Sequence, residues 1–510
     1  MAEAIDVLDN LVREELPAVI VESLPTIAPI YKYINRSSIG VKRDTGIGRQ
    51  WKVLHIFETG LAGLMQSANP LGVDMTTNTY YPQSHFIDTT DTTDLAPFPT
   101  ATDSPHVNSI KRELVLQMST GNFSVPVTWA QGDALSSSQI AQVARDVKAV
   151  GKMRALTEAQ SFFMGESNAL CQIDDYALTD ANESMTFTVK SGTGRTQFFR
   201  IGMMVDIYYN NSGAPNWGTT GGTHYVNSTD TGIPGATNYV PLIVSNVDYL
   251  SGTIKVSSVD GTNLDVGTVH GDAADDDDWI VLRQCGTVSG REMRTWGLED
   301  WIKNSSSSVT TVLGTSSGID TATYSQFSSS ITAINGPLTD QVMNGYFGGF
   351  LDAYPGSTLD TIITTMGVTL KYLEQPSLFN NRMVYERTGK ALDVAGGWEE
   401  VKYSFNGKSL RWIISPMCLG KTLYGMKLNG GNITRYCPPT IGGSDGRIGG
   451  DVEFLAPLGG HSGIFKIAHN SSGQSLNVLE APFWQYGLIA PIDVRSLKLT
   501  GLTEATGVIE

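Results

Sequence analysis

The sequence predicts a strand-rich α+β fold with one small β unit set into it. Three features carry that expectation. Residues 136–163 hold one long helical pattern, residues 185–285 break into short alternating runs, and two long strand-like runs bracket a polar excursion at 60–108.

Composition sets the outer bounds. At 510 residues the chain exceeds one compact domain, so two or three cores are expected. Apolar residues make up 41%, enough to build those cores, while only 17% of residues are charged and Gly, Ser, Thr and Asn fill the intervals. Disorder combines low hydrophobicity with high net charge; aromatic residues at 9% point instead to a folded, loop-rich chain. The net charge of −16 argues against a broad basic face for DNA, because that affinity comes from Lys and Arg displacing counterions.

The start, MAEAIDVLDNLVREELP, has neither the basic region nor the apolar core of a secretory signal, so no export is expected. The most apolar early window, 16–34, is broken by Glu22, Lys32 and three prolines, so no membrane span is expected. Cys171, Cys285, Cys418 and Cys437 lie far apart and form no CxxC pair. They read as isolated thiols rather than a zinc or redox site.

Taken in order, residues 1–40 show a short helical pattern at Ile5, Leu8, Leu11 and Val12, followed by Pro17, Pro25 and Pro29. Proline removes a helical donor, so a long helix is not expected and the region reads as an extended arm. Strand-like runs at 49–59, around Trp51, Val53, His55 and Phe57, and at 109–128 enclose the excursion rich in Thr, Asn, Asp and Pro. Together they read as an elongated two-stranded arm with a wide tip, too long to be stable without a neighbour to rest on.

The clearest helix follows. Ser136 and Gln139 make a capping box, and Ile140, Val143, Val147 and Val150 follow at helical spacing. Gly151 falls near the middle and reads as a bend or, more plainly, as a close packing contact. Arg145, Lys148, Lys152 and Arg154 make a basic cluster on the same helix, either facing a polyanion or forming a solvated face paired with acidic neighbours.

Beyond it, FFRIGMMVDIYY, NYVPLIVSNVDYLSGTIKVSSV and DDWIVLRQC alternate well enough for a small β-barrel or sandwich. Helical signals return at 296–303 and 324–353, and strand character at IITT, LRWIIS and WQYGLIAPIDVRSLKL. No internal repeat is visible.

Reaction chemistry is sparse. Leu419, Gly420, Lys421 and Thr422 end like a phosphate-binding loop, but Ser415 stands where the motif needs its first glycine. Residues 314–318, GTSSG, match a serine-hydrolase elbow in letters, yet they sit in a Ser/Thr/Gly-rich stretch rather than between strand and helix. Four consecutive aspartates, Asp275 to Asp278, lack the alternate spacing of a calcium loop and read as a solvated charge run. The seven histidines form no HExxH and no close pair. No catalytic, cofactor-binding or metal-binding residue is assigned, and no cofactor is expected.

This order of arm, hairpin excursion, long helix and a mixed region whose chain returns at the end resembles the Hong Kong 97-like capsid fold of tailed bacteriophages. The segments that carry the likeness are QIAQVARDVKAVGKMRALTEAQSFF, similar to the spine helix, and DTIITTMGVTLKYLEQ with LRWIISPMCLGKTLYGMKLNG, similar to the axial domain. LEAPFWQYGLIAPIDVRSLKLTGL is similar to the closing peripheral strands. The resemblance implies an N-terminal arm at 1–48, an extended hairpin (E-loop) at 49–128 and a peripheral (P) domain with the spine helix at 129–184. It further implies an inserted β-barrel-like domain at 185–285, the P-domain again at 286–354, an axial (A) domain at 355–475 and closing P-domain strands at 476–510.

The same resemblance implies a major capsid protein, not an enzyme, that self-assembles into hexamers and pentamers of an icosahedral shell around double-stranded DNA. It would enclose DNA without sequence-specific binding, touch no membrane, and reside in the virion after assembly in the host cytoplasm. Scaffolding, portal and cement proteins are the implied partners, with scaffolding supplied separately. Gly151 becomes a candidate spine-helix hinge, and Arg145, Lys148, Lys152 and Arg154 a candidate interior basic face. Two other readings stay open: another self-assembling virion or surface-layer protein, and a β-rich carbohydrate-active enzyme with paired acids in a cleft.

Overall fold

The structure is a computed structural model. It describes residues 2–37, 41–42, 50–57, 73–74, 79–80, 108–115, 118–130, 136–164, 169–180, 183–190, 192–208, 210–211, 214–215, 242–259, 278–282, 287–288, 291–292, 297–307, 311–312, 319–322, 327–354, 359–375, 402–405, 408–428, 433–436, 452–454, 465–469, 475–486, 488–491 and 495–505. The GTSSG segment, Asp275 to Asp277, Cys285 and Cys437 lie outside the described residues.

The chain forms two compact units. One comprises Met1–Trp51 with Val115–Glu510, and the other is Lys52–Leu114. The smaller unit takes in most of the neighbouring strands Gln50–Phe57 and Asn108–Val115, and within it Val73–Asp74 pairs antiparallel with Thr79–Tyr80.

In the larger unit the first element corrects the expectation of an extended arm. Ala2–Ile27 is a 26-residue helix, α1, with Pro17 and Pro25 inside it. An interior proline costs a helix about 3 kcal/mol. Against that, Leu8, Val12, Leu16, Val19, Ile20 and Leu24 are all buried along one stripe. At about 1.5–3 kcal/mol for each fully buried large apolar side chain, the stripe outweighs both prolines. Tertiary packing wins over local propensity.

A four-residue turn of helix, α2 (Val127–Ala130), precedes the long helix α3, Ser137–Phe163, which lies where the sequence placed it. Its capping box is formed: Gln139 N donates to Ser136 Oγ at 3.3 Å, and Ser136 N donates to Gln139 Oε1 at 2.9 Å. Two orphan donors of the first turn are thereby satisfied.

Six strands then close into a barrel in the order Met204–Tyr208, Leu242–Asp248, Thr253–Ser258, Ser184–Val189, Ala169–Thr179 and Trp279–Leu282. Closure leaves no free edge to pair with strangers. Period-two burial fills it, with Met185 and Phe187, Leu242 and Val244, Ile254 and Val256 all inside. The barrel takes in Ala169–Thr179, upstream of the 185 read from the sequence. That strand is buried over its first five residues instead of alternating, so its signal is hard to separate from the end of α3.

After the short helix α4, Leu298–Trp301, the helical reading of 324–353 is also corrected. Ser330–Gly336 is a strand, Pro337 intervenes, and only Asp340–Ala353 is helical (α5), capped by Thr339, whose Oγ1 accepts from Val342 N. The strand finds a parallel partner in Leu497–Leu502, a pairing that local sequence does not encode. These two begin a six-stranded mixed sheet that continues through Leu423–Met426, Thr361–Thr364, Lys408–Ile414 and Lys402–Phe405. The sheet therefore draws strands from either side of the boundaries at 355 and 476. Phe347 and Phe350 of α5, and Val368 and Tyr372 of the last helix α6 (Met366–Leu373), share one apolar core with Ile362, Trp412, Leu423, Leu497 and Leu499 of the sheet.

Among the described residues, two further sheets of three or four strands belong to this unit. Met118–Pro126 pairs antiparallel along Ser475–Tyr486, which also carries Val452–Phe454 and Lys466–His469. Ile433–Tyr436 lies between Asn35–Ser37 and Leu488–Pro491. Among the described residues no helix is long and apolar enough to cross a membrane.

Candidate functional site

The long helix α3 is the junction of the larger unit. Its buried seam runs through Val143, Val147, Gly151, Ala155, Glu158, Ala159, Phe162 and Phe163 at helical spacing. α1 packs across it at Gly151: a Cβ there would lie 2.7 Å from Val19 Cγ1 and 3.6 Å from Leu16 Cδ1. The glycine lets the two backbones approach, and α3 remains helical through the contact.

Two turns further on, a charge occupies the seam. Glu158 is buried and receives Arg435 Nε on Oε1 at 2.5 Å and Arg435 Nη2 on Oε2 at 2.7 Å. Gln485 Nε2 donates to the same Oε2 at 2.8 Å. This bidentate pair joins α3 to Ile433–Tyr436 and Ser475–Tyr486, with partners 277 and 327 residues away in sequence. The Tyr31 hydroxyl donates to the Glu158 carbonyl at 3.4 Å. Burial pushes the Tyr31 phenol well up, the Glu158 carboxylate pushes the same way, and Arg435 opposes both weakly, so the group stays a neutral donor.

The end of α3 is locked by apolar and backbone contacts. Phe162 meets Phe163, Trp301 and Tyr31 with ring centroids 4.8, 5.7 and 5.8 Å apart. Gly297, the residue before α4, has no room for a side chain because a Cβ would lie 2.5 Å from the Ser161 carbonyl. Gln160 Nε2 donates to the Phe198 carbonyl at 2.8 Å, which ties the helix to the approach to the barrel.

A second buried carboxylate makes a similar tether. Glu299 of α4 receives Lys498 Nζ at 2.5 Å and the Tyr424 hydroxyl at 2.6 Å, linking α4 to two strands of the six-stranded sheet. Burial pulls the Glu299 carboxyl up, but Lys498, through charge and hydrogen bond, with Tyr424 and Lys303, leaves it below the usual carboxylate value. Tyr424 is pushed well up by burial and by Glu299.

A third carboxylate occupies the turn that ends like a phosphate loop. Glu504 Oε1 accepts from Lys421 N at 3.0 Å and from Thr365 Oγ1 at 2.5 Å. Lys421 adopts φ +53°, and Thr422 Oγ1 donates back to the Gly420 carbonyl. An anion of the protein's own already holds the backbone donor that a phosphate would use. Cys171 and Cys418 are free, buried thiols whose pKa values are raised by burial. Among the described residues no group of three His, Cys, Asp or Glu side chains is placed to hold a metal ion.

The four cations read as one basic face separate. Arg145, Lys148 and Lys152 are exposed on the side of α3 away from its seam. Arg154 is half-buried, its guanidinium 5.4 Å above the Phe483 ring, and burial lowers its pKa. Sequence reading overlooked Glu158, although its place between Ala155 and Phe162 in an apolar stripe was visible. Arg435, Gln485 and Lys498 gave no local signal.

The chain is similar to several solved shell structures. The capsid asymmetric unit of cyanophage A-1(L) matches over 95% of this chain and 93% of its own, with 11% identity and a TM-score of 0.36. The satellite phage P4 procapsid, which includes the size determination protein Sid, matches over 94% and 98%, with 9% identity and a TM-score of 0.31. The holo-SrpI encapsulin complex from Synechococcus elongatus PCC 7942 matches over 34% of this chain and 53% of its own length, with 12% identity and a TM-score of 0.19. No protein-family model and no curated protein matches the sequence.

Stripping one partner from a buried pair leaves an uncompensated charge, so Glu158→Met or Arg435→Met alone is expected to cost about 3–5 kcal/mol of unfolding free energy. The double variant should cost much less than the sum, as read in a urea double-mutant cycle; additive losses would show the pair is not coupled. Glu299 has a depressed folded pKa, so it stabilises the fold above the usual value of 4.5 and that contribution is lost as pH falls through the lower folded value. Urea midpoints measured from neutral pH into acid should therefore fall more steeply below pH 4.5 for the wild type than for Glu299→Gln.

Proposed function

We propose that this chain is the major capsid protein of a tailed bacteriophage, assembling into hexamers and pentamers of an icosahedral shell around double-stranded DNA. The observation that carries the reading is the separate compact unit Lys52–Leu114, interposed in the sequence between the two parts of the larger one. Such an excursion offers area to a neighbouring copy without a large apolar patch on the monomer, and that is what a subunit soluble before assembly requires. On this reading Lys52–Leu114, the part of 49–128 outside the larger unit, lies over an adjacent subunit, and the axial domain at 355–475 meets its copies around the fivefold and sixfold axes. Closure then follows from symmetry.

The buried carboxylates fit the same reading. Glu158 and Glu299 are occupied in holding distant segments together, which suits a wall that must resist the outward pressure of packed DNA. An acidic subunit of net charge −16 limits sticking to the contents. The protein resides in the virion, is assembled in the host cytoplasm with scaffolding and portal proteins, and carries out no catalysis.

Electron microscopy of the purified chain, alone and with a candidate scaffolding protein, should show closed shells of uniform size. Tubes, flat sheets or dispersed monomers under every condition would reject the proposal. Gly151 is proposed as the point where α3 bends as the shell expands. Gly151→Ala should weaken the fold by about 1–3 kcal/mol through overpacking against Val19, and adding Val19→Ala should recover most of that loss. A hinge role requires the double variant to form precursor shells that stall before expansion, and normal expansion would remove it.

A further inference from the structure

The exposed side of α3 carries three of the four cations read from the sequence as a candidate interior basic face. We propose that Arg145, Lys148 and Lys152 bind the phosphate backbone of duplex DNA, a proposal that rests on the reading of the chain as a DNA-enclosing shell subunit. At 100° per residue the three positions fall within an arc of about 60°, and they span about 10 Å along the helix axis. All three are exposed, and among the described residues none makes an ion pair. Arg154 is not part of the stripe, because its guanidinium is turned onto Phe483.

The surroundings favour a phosphate backbone over a protein partner. Within the arc the other exposed residue is Ala141, with the exposed Ser137 and Ser138 about 20° beyond its two edges; these small residues leave the cations standing proud. The exposed Met153 and Asp146 lie about 80° and 100° round the helix from Arg145. Protein interfaces need large anchors at their centre and are depleted in lysine, whereas two of these three cations are lysines. Phosphate contacts need only cations that can reach a regular line of negative charge, and they carry no sequence information. On a chain of net charge −16 such a stripe is a local attraction set in a repulsive surface, which gives weak, salt-sensitive contact. Weak contact is what a wall around mobile packed DNA can tolerate.

The test compares the full-length chain with the variant Arg145→Gln/Lys148→Gln/Lys152→Gln, using fluorescence anisotropy of a short labelled duplex over a salt series. Three phosphate contacts at roughly 0.9 counterions each predict a log–log salt slope steeper by about 2.7 for the wild type. Between about 50 and 200 mM salt, wild-type affinity should therefore fall about 40-fold more than that of the variant. A variant that keeps only Arg145→Lys should bind as the wild type does. Thermal melts establish that the exposed substitutions leave the fold intact, and electron microscopy should find shells in the variant as in the wild type. Identical slopes, or no measurable wild-type binding, would overturn the proposal. So would a variant that loses shells but keeps its DNA affinity, since the stripe would then contact another copy. If the wild type shows stripe-dependent binding but never forms shells, the DNA contact stands and the shell reading falls.

Discussion

Glu158 sits in the buried seam of α3, and the free energy of placing a carboxylate there dictates much of what surrounds it. An unpaired charge at that depth would cost several kcal/mol, so the chain must bring Arg435 and Gln485 to it from 277 and 327 residues away. Arg435 meets the carboxylate with two nitrogens, which fixes angle as well as distance. Through this contact the long helix, Ile433–Tyr436 and Ser475–Tyr486 hold one relative placement. An apolar residue of similar size could fill the same volume, but it would not select that placement so sharply.

The same helix shows how local preference yields to packing. Pro17 and Pro25 argue against α1, and each removes a helical hydrogen bond, yet six buried apolar side chains hold it against α3. Gly151 works from the opposite side: it gives up helix propensity and in return admits Val19 at a distance that no side chain would permit. The two compromises meet at one crossing. Gly297 against Ser161 repeats the arrangement at the C-terminal end of α3, where the aromatic rings of Phe162 and Trp301 close the seam.

Much of this was legible in the amino-acid order, and the misses have physical causes. The limits of α3 were readable because a capping box and a helical stripe are both local. Alternation at Leu242–Asp248 and Thr253–Ser258 marked a small β unit, but the start at Ala169–Thr179 was hidden, since five successive buried residues carry no period-two signal. Ser330–Gly336 was mistaken for helix because its strand character comes from parallel pairing with Leu497–Leu502, far along the chain. Glu158 could have been found as a charge within an apolar stripe. Nothing near Arg435 announces that it will be buried, and half of an ion pair is not a pattern.

If the Glu158 contact couples these segments into one body, they should open together. Native-state hydrogen exchange on the wild type and on Arg435→Met measures this directly. Protection should fall by similar amounts in residues 155–163, 433–436 and 478–485, while the barrel strand Thr253–Ser258 keeps its own. A loss confined to 433–436, with the end of α3 as protected as before, would contradict the account.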